Sequence, residues 1–187
     1  MKNYADYSSL MTENIAGSLS RMNCQPILFV GSGLSRRYFK APTWDELLEQ
    51  MARQCPNIDK DYAYYKQTYS SQIEIGEAFA NAYRDWAWGK GKPQFPSTLF
   101  SESQQGDIYL KHKVAEYLES ISPRKLAGLD TTARTELAAV QQMHPHVVIT
   151  TNYDRFLETV FPDYEPIIGQ QILRASYASV GEILKIH

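Results

Sequence analysis

The sequence predicts an α/β fold: an open parallel sheet with a large helical insert after its first strand. Three observations carry this. Two short apolar runs, Pro26–Val30 (PILFV) and His146–Thr150 (HVVIT), are each followed at once by small or polar residues. About a hundred residues between them carry apolar positions at helical spacing, and two more strand-like runs, Tyr164–Ile168 and Ile183–Ile186, lie close to the end. Strands separated by helices, with polar residues gathered just past the strand ends, describe an open sheet whose crevice lies outside the carboxyl ends of its strands.

Taken in order, Leu10, Met11, Ile15 and Leu19 recur at helical period and predict a first helix before PILFV, with the break at Asn23 to Gln25. Gly31-Ser32-Gly33-Leu34-Ser35 leads from that strand into a helical segment. In Pro42-Thr43-Trp44-Asp45-Glu46, Thr43 is placed to cap a helix and Glu46 to bond back to it, with Trp44, Leu47, Leu48 and Met51 as the buried stripe. From Asp59 to Trp88 the chain is rich in aromatics, and Ile75, Phe79, Tyr83 and Trp86 repeat close to the helical period. With no basic stripe among them, they read as core rather than as a base-stacking platform. Gly89-Lys90-Gly91-Lys92-Pro93 through Pro96 reads as a loop, an exposed connection in preference to a lid. Val114, Tyr117, Leu118 and Ile121 predict a helix stopped by Ser122-Pro123, and another covers Thr132 to Gln142. The β-branched run ending at Thr150 suits a buried parallel strand, and Phe156, Leu157, Val160 and Phe161 suggest a helix after it.

Composition narrows the class. A chain of 187 residues buries one good core, so one domain is expected, residues 1–187 with the insert at about 42–142. A formal charge of −2 gives no general electrostatic reason to bind nucleic acid or an anionic membrane. The N-terminal residues lack a signal-peptide core, and no run approaches the roughly 20 apolar residues of a membrane span. Cys24 and Cys55 are too few for a zinc ribbon and suggest no disulfide scaffold, so the expected compartment is cytoplasmic. His144 and His146 flank Pro145 without a cysteine or carboxylate cluster, so no metal is expected there.

Chemistry is sought at the strand ends. A strand ending in glycines leaves no side chain between backbone and ligand, and phosphate oxygens can sit against N–H groups at the next helix start. The same pattern also serves a plain strand-to-helix turn. The third glycine of the usual dinucleotide fingerprint would fall at Arg36, which argues against an ordinary hydride-transferring dehydrogenase. Thr150-Thr151-Asn152-Tyr153-Asp154 follows the second apolar strand, and Ile183 to His187 (ILKIH) ends the sequence. Asn152 would otherwise be a helix cap, Asp154 a first-turn charge and His187 a strand residue.

These segments, GSGLS, TTNYD and a terminal IH in that order, resemble the three signature segments of the sirtuin superfamily, which there take the form GAGIS, TQNID and HG. The likeness is closest to the sirtuin-like domains of bacterial antiphage systems and spans Pro26 to His187. It implies a Rossmann-like sheet in which Gly31, Ser32, Gly33, Leu34 and Ser35 cradle the NAD+ pyrophosphate, with Arg36 or Arg37 as charge partner. By the same resemblance Asn152 stands at the catalytic asparagine, Asp154 at the acid that recognises the nicotinamide carboxamide, and His187 at the general base. Thr151 stands where the family has glutamine, beside the ribose.

The chemistry is consistent with that set. Departure of nicotinamide leaves positive charge on the ribose, so the site must orient the sugar and clamp the base. An amide supplies donor and acceptor without charge, and an imidazole titrating near neutrality accepts a proton. Protein-deacylating sirtuins carry four zinc cysteines, and this chain has two, so the resemblance implies no zinc module and favours NAD+ hydrolysis to nicotinamide and ADP-ribose over deacylation. It further implies a homo-oligomer or larger defence complex that depletes NAD+. A silent NAD+ or ADP-ribose sensor and an oligomerisation module are the alternatives. A six-stranded dinucleotide fold needs more strands than are counted here, so the sequence is expected to be the N-terminal part of a longer polypeptide.

Overall fold

The computed structural model describes residues 3–22, 25–169 and 181–186. In chain order the described elements are α1 (Tyr4–Met22), β1 (Ile27–Val30), α2 (Ser32–Phe39), α3 (Trp44–Gln54), α4 (Tyr62–Thr68), α5 (Gln72–Trp88), α6 (Ile108–Ile121), α7 (Thr131–Gln142), β2 (Val147–Thr150), α8 (Phe156–Val160), β3 (Glu165–Ile168) and β4 (Glu182–Lys185), with short 3₁₀ turns between them. The fold is α/β, mostly helical, with a small parallel sheet. The chain divides into two compact units, one of residues 1–34 and 123–187 and one of Ser35–Ser122.

The first unit holds the sheet. Its strands run in the order β1-β2-β4-β3, all parallel, with Val30, Thr150, Lys185 and Ile168 in register at the carboxyl edge. Registered positions share a face. Val148, Thr150, Ile183 and Lys185 occupy one face and are all buried, together with Phe156, Leu157 and Val160 of α8 and Ala133 and Leu137 of α7. On the other face Ile27 and Phe29 are 62% and 71% exposed. Asp130 caps α7 by accepting from the Ala133 amide at 2.9 Å. Tyr164 donates its hydroxyl to the Pro145 carbonyl at 2.6 Å and lays its ring against Gly181. There a Cβ would sit 3.1 Å from the ring and φ is +98°, so glycine is required on both counts.

The second unit is a helical core of its own. Leu47, Leu48 and Met51 of α3 meet Ile75, Phe79, Tyr83 and Trp86 of α5 and Tyr109 of α6. Edge-to-face contacts run from Tyr83 to Trp86, from Trp86 to Phe95 and from Phe95 to Tyr109, the preferred geometry of aromatic quadrupoles. The expected capping box forms: Glu46 N–H donates to Thr43 Oγ1 at 3.2 Å, and Glu46 Oε2 accepts from Thr43 N–H at 2.6 Å.

Two sequence expectations change, and a third is met with a helix that stays exposed. Trp44, counted in the buried stripe, is 57% exposed, because it opens α3 one turn before the positions that face the core. The first helix forms, yet none of its residues is buried; helical period defines an apolar face but not what covers it. The Gly89–Pro96 stretch is more than an exposed connection. Phe95 is buried, and a Cβ on Gly91 would lie 2.6 Å from the Trp86 indole nitrogen, so the segment folds into the helical core. The strand boundaries match to within a residue.

Candidate functional site

The site is built at the carboxyl edge of the sheet, in the first unit. β2 ends at Thr150, whose buried Oγ1 accepts from the Asn152 amide at 3.0 Å and turns the chain back over the strand. That turn buries Asn152 to 5% exposure and aims its side chain at β1. Asn152 Nδ2 donates to the Gly31 carbonyl at 3.2 Å, across 121 residues of sequence. Only the amide nitrogen can face a carbonyl oxygen, so this bond fixes which end of the amide points where. The same carbonyl accepts from Leu34 N–H at 3.2 Å in the first turn of α2. Two of the three sequence-separated segments thus meet at one backbone oxygen.

The glycines of GSGLS behave differently from Gly181. Neither Gly31 nor Gly33 has a positive φ, and a Cβ built on either meets nothing within 4 Å. The strand-to-helix turn therefore does not need glycine for its own geometry or packing. Ser32 and Gly33 are exposed, Leu34 is half-buried and Ser35 is buried.

Asp154 has a structural task. Its Oδ1 accepts from the Phe156 amide at 3.0 Å, at the start of α8, and the residue is 8% exposed. Thr151 and Tyr153 are exposed on the same turn. Arg36 reaches Glu46 at 2.9 Å, an ion pair with both side chains 54% exposed. Such an exposed pair contributes little to stability. His187 lies outside the described residues, as does Cys24. Ile186, the last described residue, donates its N–H to the Thr150 carbonyl at 3.0 Å, continuing the pairing of β4 to the edge where Asn152 turns.

Sequence reasoning passed over Lys185. It reads as one letter of a terminal strand, yet its side chain is buried at the sheet edge, with Nζ 2.8 Å from Glu158 Oε1 and 2.6 Å from the Asp154 carbonyl. The available signal was alternation: Ile183 and Lys185 fall on the same buried face, where a charge is out of place unless paired. His144 adopts φ +45°, and among the described residues no cluster of three or more His, Cys, Asp or Glu is arranged to hold a metal. No described helix is long and apolar enough to cross a membrane.

No protein-family model matches the chain, and no curated protein matches it.

Proposed function

We propose that this chain is a sirtuin-like domain with a Rossmann-like sheet that hydrolyses NAD+ to nicotinamide and ADP-ribose. The observation that carries the reading is the bond between Asn152 Nδ2 and the Gly31 carbonyl. It joins the amide segment to the glycine segment at the edge where open α/β sheets bind ligands. The room above Gly31 and Gly33 supports it further, since glycines that neither packing nor φ requires are accounted for by close approach of a pyrophosphate.

In the proposed reaction the C1′–N1 bond breaks, its electron pair leaves with nicotinamide, and a water oxygen bonds to C1′. The water proton passes to His187, the base the resemblance assigns. Asn152, its plane held by Gly31, orients the ribose and the water without adding charge beside the developing cation. Asp154 recognises the carboxamide from the turn it helps to shape. The defence role and assembly into a larger complex belong to the same proposal and rest on the resemblance alone.

The test is nicotinamide release from NAD+ followed by mass spectrometry. Turnover is expected in the full-length parent and is expected to fall at least about 100-fold in Asn152→Ala with the fold retained, the order seen when a transition-state hydrogen-bonding group is removed. Unchanged turnover in Asn152→Ala rejects the role. Tight ADP-ribose binding without any turnover in the parent would replace the hydrolase with a silent sensor.

A further inference from the structure

Lys185 occupies a position that alternation reserves for an apolar side chain. It follows Ile183 on the buried face of β4, pairs in register with Thr150, and is 3% exposed. Removing an ammonium from water is unfavourable before any partner is counted, and a buried ion pair is commonly no more stabilising than well-packed apolar residues. Stability alone therefore gives no reason for a lysine here.

Its contacts give one. Nζ donates to the Asp154 carbonyl at 2.6 Å and pairs with Glu158 Oε1 at 2.8 Å, the carboxylate being supplied by α8. Glu158 Oε2 is buried with no hydrogen-bond partner among the described residues, so the carboxylate is committed to Lys185 through its other oxygen. The turn from Thr150 to Phe156 is shaped internally by Thr150 Oγ1 on the Asn152 amide and by Asp154 Oδ1 on the Phe156 amide. Neither of those bonds ties the turn to another strand. Bonds that do include Ile186 N–H to the Thr150 carbonyl, Asn152 Nδ2 to the Gly31 carbonyl beyond β1, and Lys185 Nζ of β4 to the Asp154 carbonyl.

We propose that Lys185 is a positioning residue: its ammonium, held by Glu158, pins the Asp154 carbonyl and so fixes the turn that presents Asn152 to the ribose. The inference rests on the reading of Asn152 given above. A lysine suits the task because a compact ammonium offers several donors, enough to serve a carboxylate and a carbonyl together. Methionine in its place would fill the volume and remove the ammonium donor.

The test compares the parent, Lys185→Met, and the double variant Lys185→Met with Glu158→Leu, which removes both charges and leaves no unpaired carboxylate if the single variant fails to fold. Amide hydrogen exchange is read at Asn152 and Phe156, against Val148 and Ile183 in the sheet. Protection at Asn152 and Phe156 is expected to drop at least about tenfold while the sheet amides keep theirs, the signature of local opening. The rate of NAD+ cleavage, kcat, is expected to fall about 10- to 100-fold with KM changed less than about threefold, since misplacing a positioned group acts mainly on the chemical step. Unchanged protection at the two turn amides overturns the proposal, as does a loss of kcat no larger than the loss of folded protein. If the parent shows no NAD+ turnover, the hydrolase reading fails and the exchange measurement still decides whether Lys185 holds the turn.

Discussion

Replacing Gly33 with alanine separates a glycine kept for the protein from one kept for a ligand. Gly33 is the second residue of α2, its φ lies outside the left-handed region, and an added Cβ meets no atom within 4 Å. Alanine is favoured over glycine by about 0.8–1.0 kcal/mol in a helix interior, and the gain at a compatible site starts at about 0.4 kcal/mol. For a first-turn position we take about 0.5 kcal/mol. In a chain of this size about 1 kcal/mol moves Tm by roughly 2–4 °C, so Gly33→Ala should raise it by roughly 1–2 °C. The same methyl group occupies the space through which a pyrophosphate would approach the backbone. Affinity for ADP-ribose, measured by titration calorimetry, should therefore fall at least about tenfold, a loss of about 1.4 kcal/mol. Stability and binding are expected to move in opposite directions. A variant that binds ADP-ribose as well as the parent would refute the assignment of this loop, and one that loses stability would refute the claim that the turn tolerates a Cβ.

Two further predictions concern the helical unit. Glu46 is held at a pKa of about 2, first by the Thr43 backbone N–H and then by the Arg36 guanidinium, against 4.5 for an unperturbed glutamate. Because the folded value lies below the unfolded one, its contribution to α3 is complete above pH 4.5 and is lost as pH falls toward 2. The stability advantage of the parent over Glu46→Ala should hold from neutrality down to about pH 5 and shrink below it; a side-chain carboxyl resonance titrating near its ordinary value would contradict this. Tyr83 is fully buried and donates its hydroxyl to the Met51 carbonyl at 2.8 Å, an oxygen that also accepts from Cys55 N–H at 3.3 Å. Tyr83→Phe leaves that carbonyl partnered, so chemical denaturation should show a loss of about 0.5–1.5 kcal/mol rather than the larger cost of an orphaned buried acceptor.

Much of the fold was legible because its signals are local. PILFV and HVVIT are short, β-branched or apolar, and bounded by turn residues, and they pair in parallel as β1 and β2. Thr43 and Glu46 form their capping box because both bonds span three residues and depend on nothing distant. The stripe Ile75, Phe79, Tyr83 and Trp86 is buried throughout, since an amphipathic helix in a unit of this size has a core to face. Trp44 and α1 show the limit: period gives a direction, and burial requires a partner in that direction. Phe95 shows the converse, a core residue inside a segment whose glycines, lysines and prolines otherwise read as surface.

By itself the sequence determined the candidate letters of the site: the glycines after β1, Asn152 and Asp154 after β2, and His187. Their chemistry is written in the residue types, because an amide, a carboxylate and an imidazole bring their donors and acceptors wherever they are placed. Tertiary structure decided what these residues touch. The meeting of Asn152 with Gly31 depends on β2 lying beside β1 rather than on anything either segment encodes alone. Lys185 reaches Asp154 and Glu158 for the same reason, since β4 pairs with β2 and brings a strand end against the turn. A hydrogen bond is decided by tenths of an ångström, and strand order sets those distances between residues that sequence spacing keeps far apart.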